Sequence, residues 1–312
     1  MSERNMISRR NFLAFGTGVL GSTLALACGG GAQQSAESDG SAAAEMPAGG
    51  SAAKTAGAYA GLRVGVQSYC FRNFRDHAQL KGFIHTLGLQ SIELWPDGHL
   101  PVDTPADELA RIVADYKADG ISIDACGVVG FKNDEAAARK IFEYAKVLGV
   151  LGISAAPSHD ALPLMVKLTE EYGIPIAIHN HGPGDKLYGT AELIREHLAP
   201  LPSSVGLCVD TGHFQRVGAD PLAVIDEFAE RINGLHLKDM VLTGEKNDRG
   251  DPLWEDAIIG KGSLDLPALV RKLKEIGFDG YCSLEYESDP DNPIPAMQEC
   301  LAELRSACEG VA

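Results

Sequence analysis

His179, Asp210, His236 and Glu285 each close a short apolar run in the C-terminal half of the chain: IPIAIHNHG, VGLCVDTGH, INGLHLKDM and GYCSLEYES. Runs of that length between helix-like segments read as buried parallel strands. In a closed barrel the C-terminal ends of all strands share one face, so the four side chains would converge there. Two imidazoles and two carboxylates in one place suit a divalent metal ion. Other groups with chemistry lie close in sequence. Lys238 is two residues past His236, His213 is three past Asp210, and His181 is two past His179. Glu93 ends a further strand-like run, where a carboxylate would face the barrel mouth.

The elements that must position these groups recur at a steady interval. Strand-like runs are read at Arg63–Ser68, Ser91–Leu94, Ile121–Cys126, Gly152–Ala155, Pro175–His179, Val205–Asp210, Gly234–His236 and Tyr281–Glu285. Between them, apolar residues at three and four spacing mark helices, as at Leu109, Ile112, Val113 and Tyr116. Pro105, Asp160 and Asp220-Pro221 mark helix starts. Gly88, Gly120, Gly149, Gly173 and Gly277 mark helix ends. Repeating β-α units of about 30 residues predict a (β/α)8 TIM barrel. A doubly wound open sheet is the rival, weakened by the lack of Gly-x-Gly-x-x-Gly after the first strand. Residues 237–263 make an unusually long connection, of the kind that forms lids or substrate walls. Within it, Asn247-Asp248-Arg249-Gly250 reads as a turn able to close over substrate. Gly260-Lys261-Gly262-Ser263 resembles a phosphate cradle but reads better as a bend into the next helix, with Ser263 as its cap.

The chain begins differently. Ser8-Arg9-Arg10-Asn11-Phe12-Leu13 precedes an apolar run ending at Leu26-Ala27-Cys28, a layout that resembles a twin-arginine export signal. Cys28 stands where a lipoprotein signal carries its lipidated residue. The expected organisation is a signal at 1–28, a flexible Gly/Ala/Ser-rich linker at 29–60 and a barrel at 61–312. The protein is expected to be exported to the periplasm or another extracytoplasmic space, touching a membrane only through a lipid on Cys28. The net charge is −16, and without residues 1–28 it is about −18. So acidic a surface argues against nucleic-acid binding. Six of the seven cysteines lie beyond Cys28. They read as small buried hydrophobes, with no zinc-finger spacing.

Val209-Asp210-Thr211-Gly212-His213, Leu235-His236-Leu237-Lys238-Asp239 and Leu284-Glu285, in that order, resemble the xylose isomerase-like barrel superfamily over roughly residues 61–305. That group includes sugar isomerases and epimerases, inosose dehydratases, hydroxypyruvate isomerases and apurinic-site endonucleases. The resemblance implies one divalent metal held from four successive strand ends, with Asp210, His236 and Glu285 at matching positions. His179 stands where the family usually has glutamate. The extra nitrogen favours Mn, Zn, Co or Fe over Mg. It also removes one of the two carboxylates that flank the substrate carbon in epimerases of the group.

The resemblance implies proton abstraction alpha to a carbonyl of an unphosphorylated sugar or keto-sugar, by an isomerase or epimerase type of enzyme. Glu285 would be the base and Lys238 an acid or electrostatic clamp. The missing glutamate makes a dehydratase, lyase or hydratase acting on keto-sugars or 3-keto-glycosides the alternative. Glu93 and His213 would contact substrate or buttress the base. His181, Trp95, Trp254 and Arg249 would line the substrate, the tryptophans by stacking on a sugar ring. A non-catalytic exported sugar-binding barrel is a third reading. An endonuclease is disfavoured, because Tyr69, Trp95 and Cys126 stand where extra zinc-binding histidines are needed. Family members are often dimers or tetramers, which makes a homo-oligomer an expectation.

Overall fold

The structure, a computed structural model, describes residues 58–311. The expected signal, Cys28 and most of the linker lie outside the described residues. Among the described residues the strands are β1 (Arg63–Gln67), β2 (Ser91–Leu94), β3 (Ser122–Phe131), β4 (Gly152–Pro157), β5 (Ile176–His179), β6 (Val205–Asp210), β7 (Ile232–Leu237), β8 (Asp239–Lys246), β9 (Pro252–Ala257) and β10 (Tyr281–Leu284). The helices are α1 (His77–Thr86), α2 (Ala106–Ala118), α3 (Glu135–Leu148), α4 (Leu162–Tyr172), α5 (Ala191–Leu198), α6 (Thr211–Arg216), α7 (Pro221–Glu227), α8 (Leu266–Glu275) and α9 (Ile294–Glu309).

All strands except β8 and β9 are parallel and close into a barrel in the order β1-β10-β7-β6-β5-β4-β3-β2. Closure is direct, since Val66 of β1 pairs with Ile92 of β2 and Arg63 with Tyr281 of β10. An open doubly wound sheet is thereby ruled out. Alternation along each strand sorts the side chains. Ile92, Leu94, Ile176, Ile178, Leu207, Val209, Leu235 and Leu237 join the large core shared with the helices. Their neighbours face the barrel axis. Ala125, Ala177, Cys208 and Tyr281 form a small cluster of their own there. The Tyr281 ring requires Gly234, because a Cβ at that position would lie 2.2 Å from Tyr281 Cζ.

The helix ends follow the expected chemistry. α3 and α4 stop at Gly149 (φ 72°) and Gly173 (φ 66°), both left-handed. Asp76, Asp134, Thr190 and Asp220 accept backbone N–H bonds at helix starts. Two expectations need correction, and one connection gains an element. The cap of α8 is Asp265, which accepts from Ala268 N, and not Ser263. The long 237–263 connection holds a hairpin, since β8 and β9 pair antiparallel within it. The barrel takes in Tyr59, placed in the linker by sequence: it is buried, and its hydroxyl accepts from Arg305 on α9 at 2.9 Å. All six described cysteines are free and buried. No helix among the described residues is long and apolar enough to cross a membrane.

Candidate metal centre

The inward face of four adjacent strands brings the four residues together. His179 ends β5, Asp210 ends β6, His236 lies near the end of β7, and Glu285 directly follows β10. Register aligns them: Asp210 pairs with His236, and His236 with Ser283, one pleat below Glu285. Glu285 N donates to Leu237 O at 3.0 Å, which continues the pairing past the strand end. One ligand atom from each of the four lies within 4.8 Å of the others, and all four residues are buried. Asn180 clamps the ends of β5 and β6: Asp210 N donates to its Oδ1 at 2.9 Å and its Nδ2 donates to Asp210 O at 3.1 Å.

Polar atoms that find no partner show what the cluster fits. Both ring nitrogens of His179 and Oδ2 of Asp210 are buried without a hydrogen bond, although groups so buried are rarely left unpaired. Asp210 Oδ1 accepts from His213 N at 2.6 Å and so caps α6. Its Oδ2 is left facing His179 Nε2 at 3.5 Å. Two imidazoles and two carboxylates, with lone pairs aimed at one point, match a divalent cation that takes nitrogen and oxygen ligands.

Glu93 has a different place from the one its sequence position suggests. It is 1% exposed and lies beneath His236, not at the mouth. Its Oε2 is 2.9 Å from His236 Nε2 and accepts from Ser283 Oγ at 2.7 Å. Its Oε1 accepts from Ser154 Oγ at 2.5 Å. His236 Nδ1 is 3.1 Å from Glu285 Oε2, on the ligand side. Glu93 therefore selects the tautomer that donates from Nε2 and frees Nδ1 for a cation. Burial works against a charged His236 ring, but Cys208, Glu93 and Glu285 outweigh it and hold its pKa well above the usual value, so in the metal-free protein Nδ1 carries a proton that a bound cation would displace. Replacing Glu93 with glutamine is expected to weaken metal binding about 10–100-fold. Competition against a chelator measures it, and unchanged affinity would remove Glu93 from this role.

Lys238 is buried with its ammonium on the Glu287 carboxylate and 3.8 Å from Glu285 Oε2. Burial disfavours its charge, but Glu285, Asp210 and Glu287 outweigh that and raise its pKa. Glu285 is also buried against its charge, yet Lys238 and His236 draw its pKa down to about 2. His213 accepts from Arg216 at Nδ1 (3.0 Å), which leaves Nε2–H pointing toward Asp210 Oδ2, 3.9 Å away. Burial, only partly offset by Asp210, holds the pKa of His213 near 4. His181 is held near 4 chiefly by burial and by His179. Both rings are thus neutral at pH 7.

A cavity of about 340 Å³ opens above the cluster, lined by His179, His181, His213, Glu285, Glu287, Trp95, Tyr69, Gln67, Gly127 and Val128. Trp95, His181 and His213 thus meet the space in which a substrate would sit. Trp254 and Arg249 do not, which corrects the substrate roles expected for them. Trp254 pairs with Leu242 within the β8–β9 hairpin, and Arg249 is 85% exposed at its turn beside Asp251. Gln67, Tyr69 and Glu287 are cavity residues that the sequence does not single out. Glu287 is on the same pleat as Glu285, a period-two signal that could have found it. The Gly260–Ser263 segment does cradle an anion, but an internal one. Asp239 accepts from the backbone N–H groups of Met240, Gly260, Gly262, Ser263 and Leu264, each at 2.9 Å, and from Gln215 Nε2 at 3.1 Å.

A closed (β/α)8 barrel with a buried cluster of two histidines and two carboxylates at its C-terminal mouth defines the class. The chain belongs to the xylose isomerase-like TIM barrel family, whose profile matches residues 82–307. Among curated relatives, an inosose dehydratase from Lacticaseibacillus casei is 31% identical over 133 residues, which are 40% of this chain and 44% of that protein. The chain thus spans less than half the length of that relative. A crystal structure of an uncharacterized protein from Parabacteroides distasonis is 28% identical, with a TM-score of 0.61, over 78% of this chain and 98% of that one. The structure of the IolI protein with a bound zinc atom has the same fold. It is 20% identical with a TM-score of 0.61, over 78% of this chain and 98% of that one.

Proposed function

We propose that this protein is a divalent-metal-dependent lyase of the dehydratase type, acting on an unphosphorylated keto-sugar or related cyclic polyol. The observation that carries this reading is that both carboxylates lining the cavity come from one strand end, just after β10. Glu285 and Glu287, with Lys238 against both, occupy one wall of the cavity. The other lining residues, Gln67, Tyr69, Trp95, Gly127, Val128, His179, His181 and His213, carry no carboxylate. An epimerase needs a proton donor and acceptor on opposite faces of one carbon, and His179 stands where the second carboxylate is expected. Among the described residues, no lysine or arginine lines the cavity directly, and Lys238 is engaged by the two glutamates. A phosphate group would therefore find no free counter-charge there. The dehydratase relative supports the same reading.

His179, Asp210, His236 and Glu285 would hold the ion. A divalent cation there would polarise a carbonyl and stabilise the negative charge that develops on its oxygen. Glu285 takes the proton from the carbon next to that carbonyl. The β carbon–oxygen bond breaks, its electron pair leaves with the oxygen, and a proton from Lys238, relayed by the Glu287 carboxylate that lines the cavity, releases it as water. His213 offers its Nε2–H to a substrate oxygen and stays neutral. Trp95 excludes water from one side of the ring. Aldose–ketose isomerisation is the second reading, favoured by the same origin of both carboxylates at one strand end, because one base can return the proton it removed.

The test is incubation of metal-loaded protein with inososes and keto-sugars in heavy water. A conjugated enone absorbance, with deuterium at the α carbon of recovered substrate, supports elimination, and a deuterated product without that absorbance supports isomerisation. Exchange that survives in Glu285→Gln while disappearing in Glu287→Gln would move the base to Glu287. Lys238→Met is expected to slow elimination about 10²-fold while α-proton exchange persists. Equal loss of both would tie Lys238 to substrate binding instead.

A further inference from the structure

We propose that the ligand of this barrel is a glycoside of two linked units, and that the second unit lies in a rim cleft beside Trp95. The proposal rests on the reading of the main cavity as a sugar site. The cleft has a volume of about 380 Å³ and opens between the starts of α1 and α2. Cleft and cavity each fall at the lower end of the range for small-molecule sites, about 300–1,000 Å³.

The two spaces share a partition. Trp95 lines the cavity. Arg75 and His99 line the cleft. Both pack onto the indole, the guanidinium 5.0 Å from its centroid and the imidazole edge-on at 5.7 Å. Gly98 keeps the partition thin: a Cβ there would fall 2.1 Å from Trp95 Cζ3 and 2.2 Å from Arg75 Nη1. Ser68 Oγ accepts from Trp95 N at 2.7 Å and is 3.0 Å from His99 Nδ1, which fixes the indole from below. A platform held at so many points loses little freedom when a ring stacks on it. A substituent on that ring that passes the indole edge reaches the cleft on the far side of the partition.

The cleft's chemistry selects a neutral polyol. Leu100 and Ile112 supply apolar surface among charged groups of both signs. Asp76 is engaged by Gln79 N, and Asp115 by Lys81. Glu108 and Arg111, which project from α2, remain as an acceptor and a donor on the cleft wall. Charges of both signs on one wall make neither an anion site nor a cation site, but hydroxyl groups can donate to one and accept from the other.

The experiment is calorimetric binding of methyl β-glucoside, cellobiose and maltose to the zinc-loaded full-length chain. At least one disaccharide is expected to bind about tenfold more tightly than the methyl glycoside, a 1.4 kcal/mol difference. The double substitution Glu108→Ala with Arg111→Ala is expected to remove that advantage and leave methyl β-glucoside affinity unchanged. Both positions are exposed on α2, away from the metal cluster. Equal affinities for one and two units, or an advantage that survives the double substitution, overturn the outer site and leave the reading of the main cavity standing. Failure of all three sugars to bind overturns the outer site, while α-proton exchange on keto-sugars decides the reading of the main cavity separately.

Discussion

Asp210→Asn is expected to lower metal affinity by roughly two to three orders of magnitude while leaving the metal-free protein as stable as before, within about 1 kcal/mol. The two outcomes have separate causes. Asp210 Oδ2 is buried and makes no hydrogen bond, so replacing it in the metal-free protein breaks none. Burial opposes its charge, and His213, Lys238 and His179 outweigh it, holding the carboxyl well below the usual carboxylate range. Asparagine keeps Oδ1 as the cap on His213 N, since it caps helices as well as aspartate does. Its amide can donate toward His179 Nε2, which now lies 3.5 Å from Oδ2. What asparagine cannot do is neutralise a cation held among buried groups. Loss of a buried charge partner costs about 3–5 kcal/mol. Titration of Zn and Mn against a chelator measures the affinity, and thermal unfolding with and without metal measures the stability. A ligand at 100 times its Kd adds about 2.7 kcal/mol to the wild type, and the variant should show almost none of it at the same concentration. Wild-type affinity in the variant would remove Asp210 from the ligand set.

The ligand cluster was legible because it depends on two local regularities. Strands alternate, and barrel strands end on a common face, so His179, Asp210, His236 and Glu285 could be brought together without any knowledge of depth. The closing glycines were legible for a similar reason: Gly88, Gly120, Gly149, Gly173 and Gly277 all have φ between 66° and 72°, a region that other residues avoid. Depth was not legible. Glu93 shares its strand-end position with the ligands, and whether it reaches the mouth or supports His236 depends on Ser154 and Ser283, distant in sequence. The hairpin was hidden for another reason. Asn247–Gly250 reads as a turn, but the flanking runs are not uniformly apolar. Leu242 and Leu253 remain 50% and 37% exposed, so no buried face imposed a strand period on the sequence. The outermost cavity residues, Gln67 and Tyr69, lie at the end of β1 and in the short 3-10 turn after it, whose course no periodicity announces.

The anion cradle shows how a motif can be right in its physics and wrong in its partner. Gly260-Lys261-Gly262-Ser263 does turn its N–H groups toward a negative charge, as a phosphate loop does. The charge belongs to Asp239, which is 1% exposed, one residue from Lys238. A Cβ on Gly262 would fall 2.5 Å from Asp239 Oδ1, so glycine there serves the close approach of that carboxylate. The clasp ties the exit of β9 to the end of β7 and closes the base of the hairpin. Gln215 joins it from α6, two residues from His213, and also accepts from Met240 N at 2.8 Å. Lys238 and the cavity-lining His213 are thus anchored through neighbouring residues to one carboxylate.

Asp239→Ala is therefore expected to be the most destabilising of the substitutions considered, by about 3–5 kcal/mol. It strands several N–H donors at once. Each buried donor left unpaired costs about 1–3 kcal/mol, and the total is limited because Gly260, Gly262 and Ser263 are near enough to the surface for water to replace part of the loss. For a barrel of this size that loss corresponds to a fall in Tm of roughly 10 °C. Asparagine should fall between alanine and wild type, since its one carbonyl oxygen can still accept while its amide meets N–H groups head-on. The loss should be local before it is global. Hydrogen exchange at Gly260, Gly262, Ser263 and Leu264, and across the β8–β9 hairpin, should speed up well below the unfolding temperature, while β1 to β6 stay protected. A variant that unfolds at the wild-type temperature, with the hairpin amides still protected, would show that the clasp does not hold this insertion in place. Lys238 would then have to be positioned by Thr211 alone, whose Oγ1 accepts from Lys238 N at 3.0 Å and donates to Lys238 O at 2.5 Å.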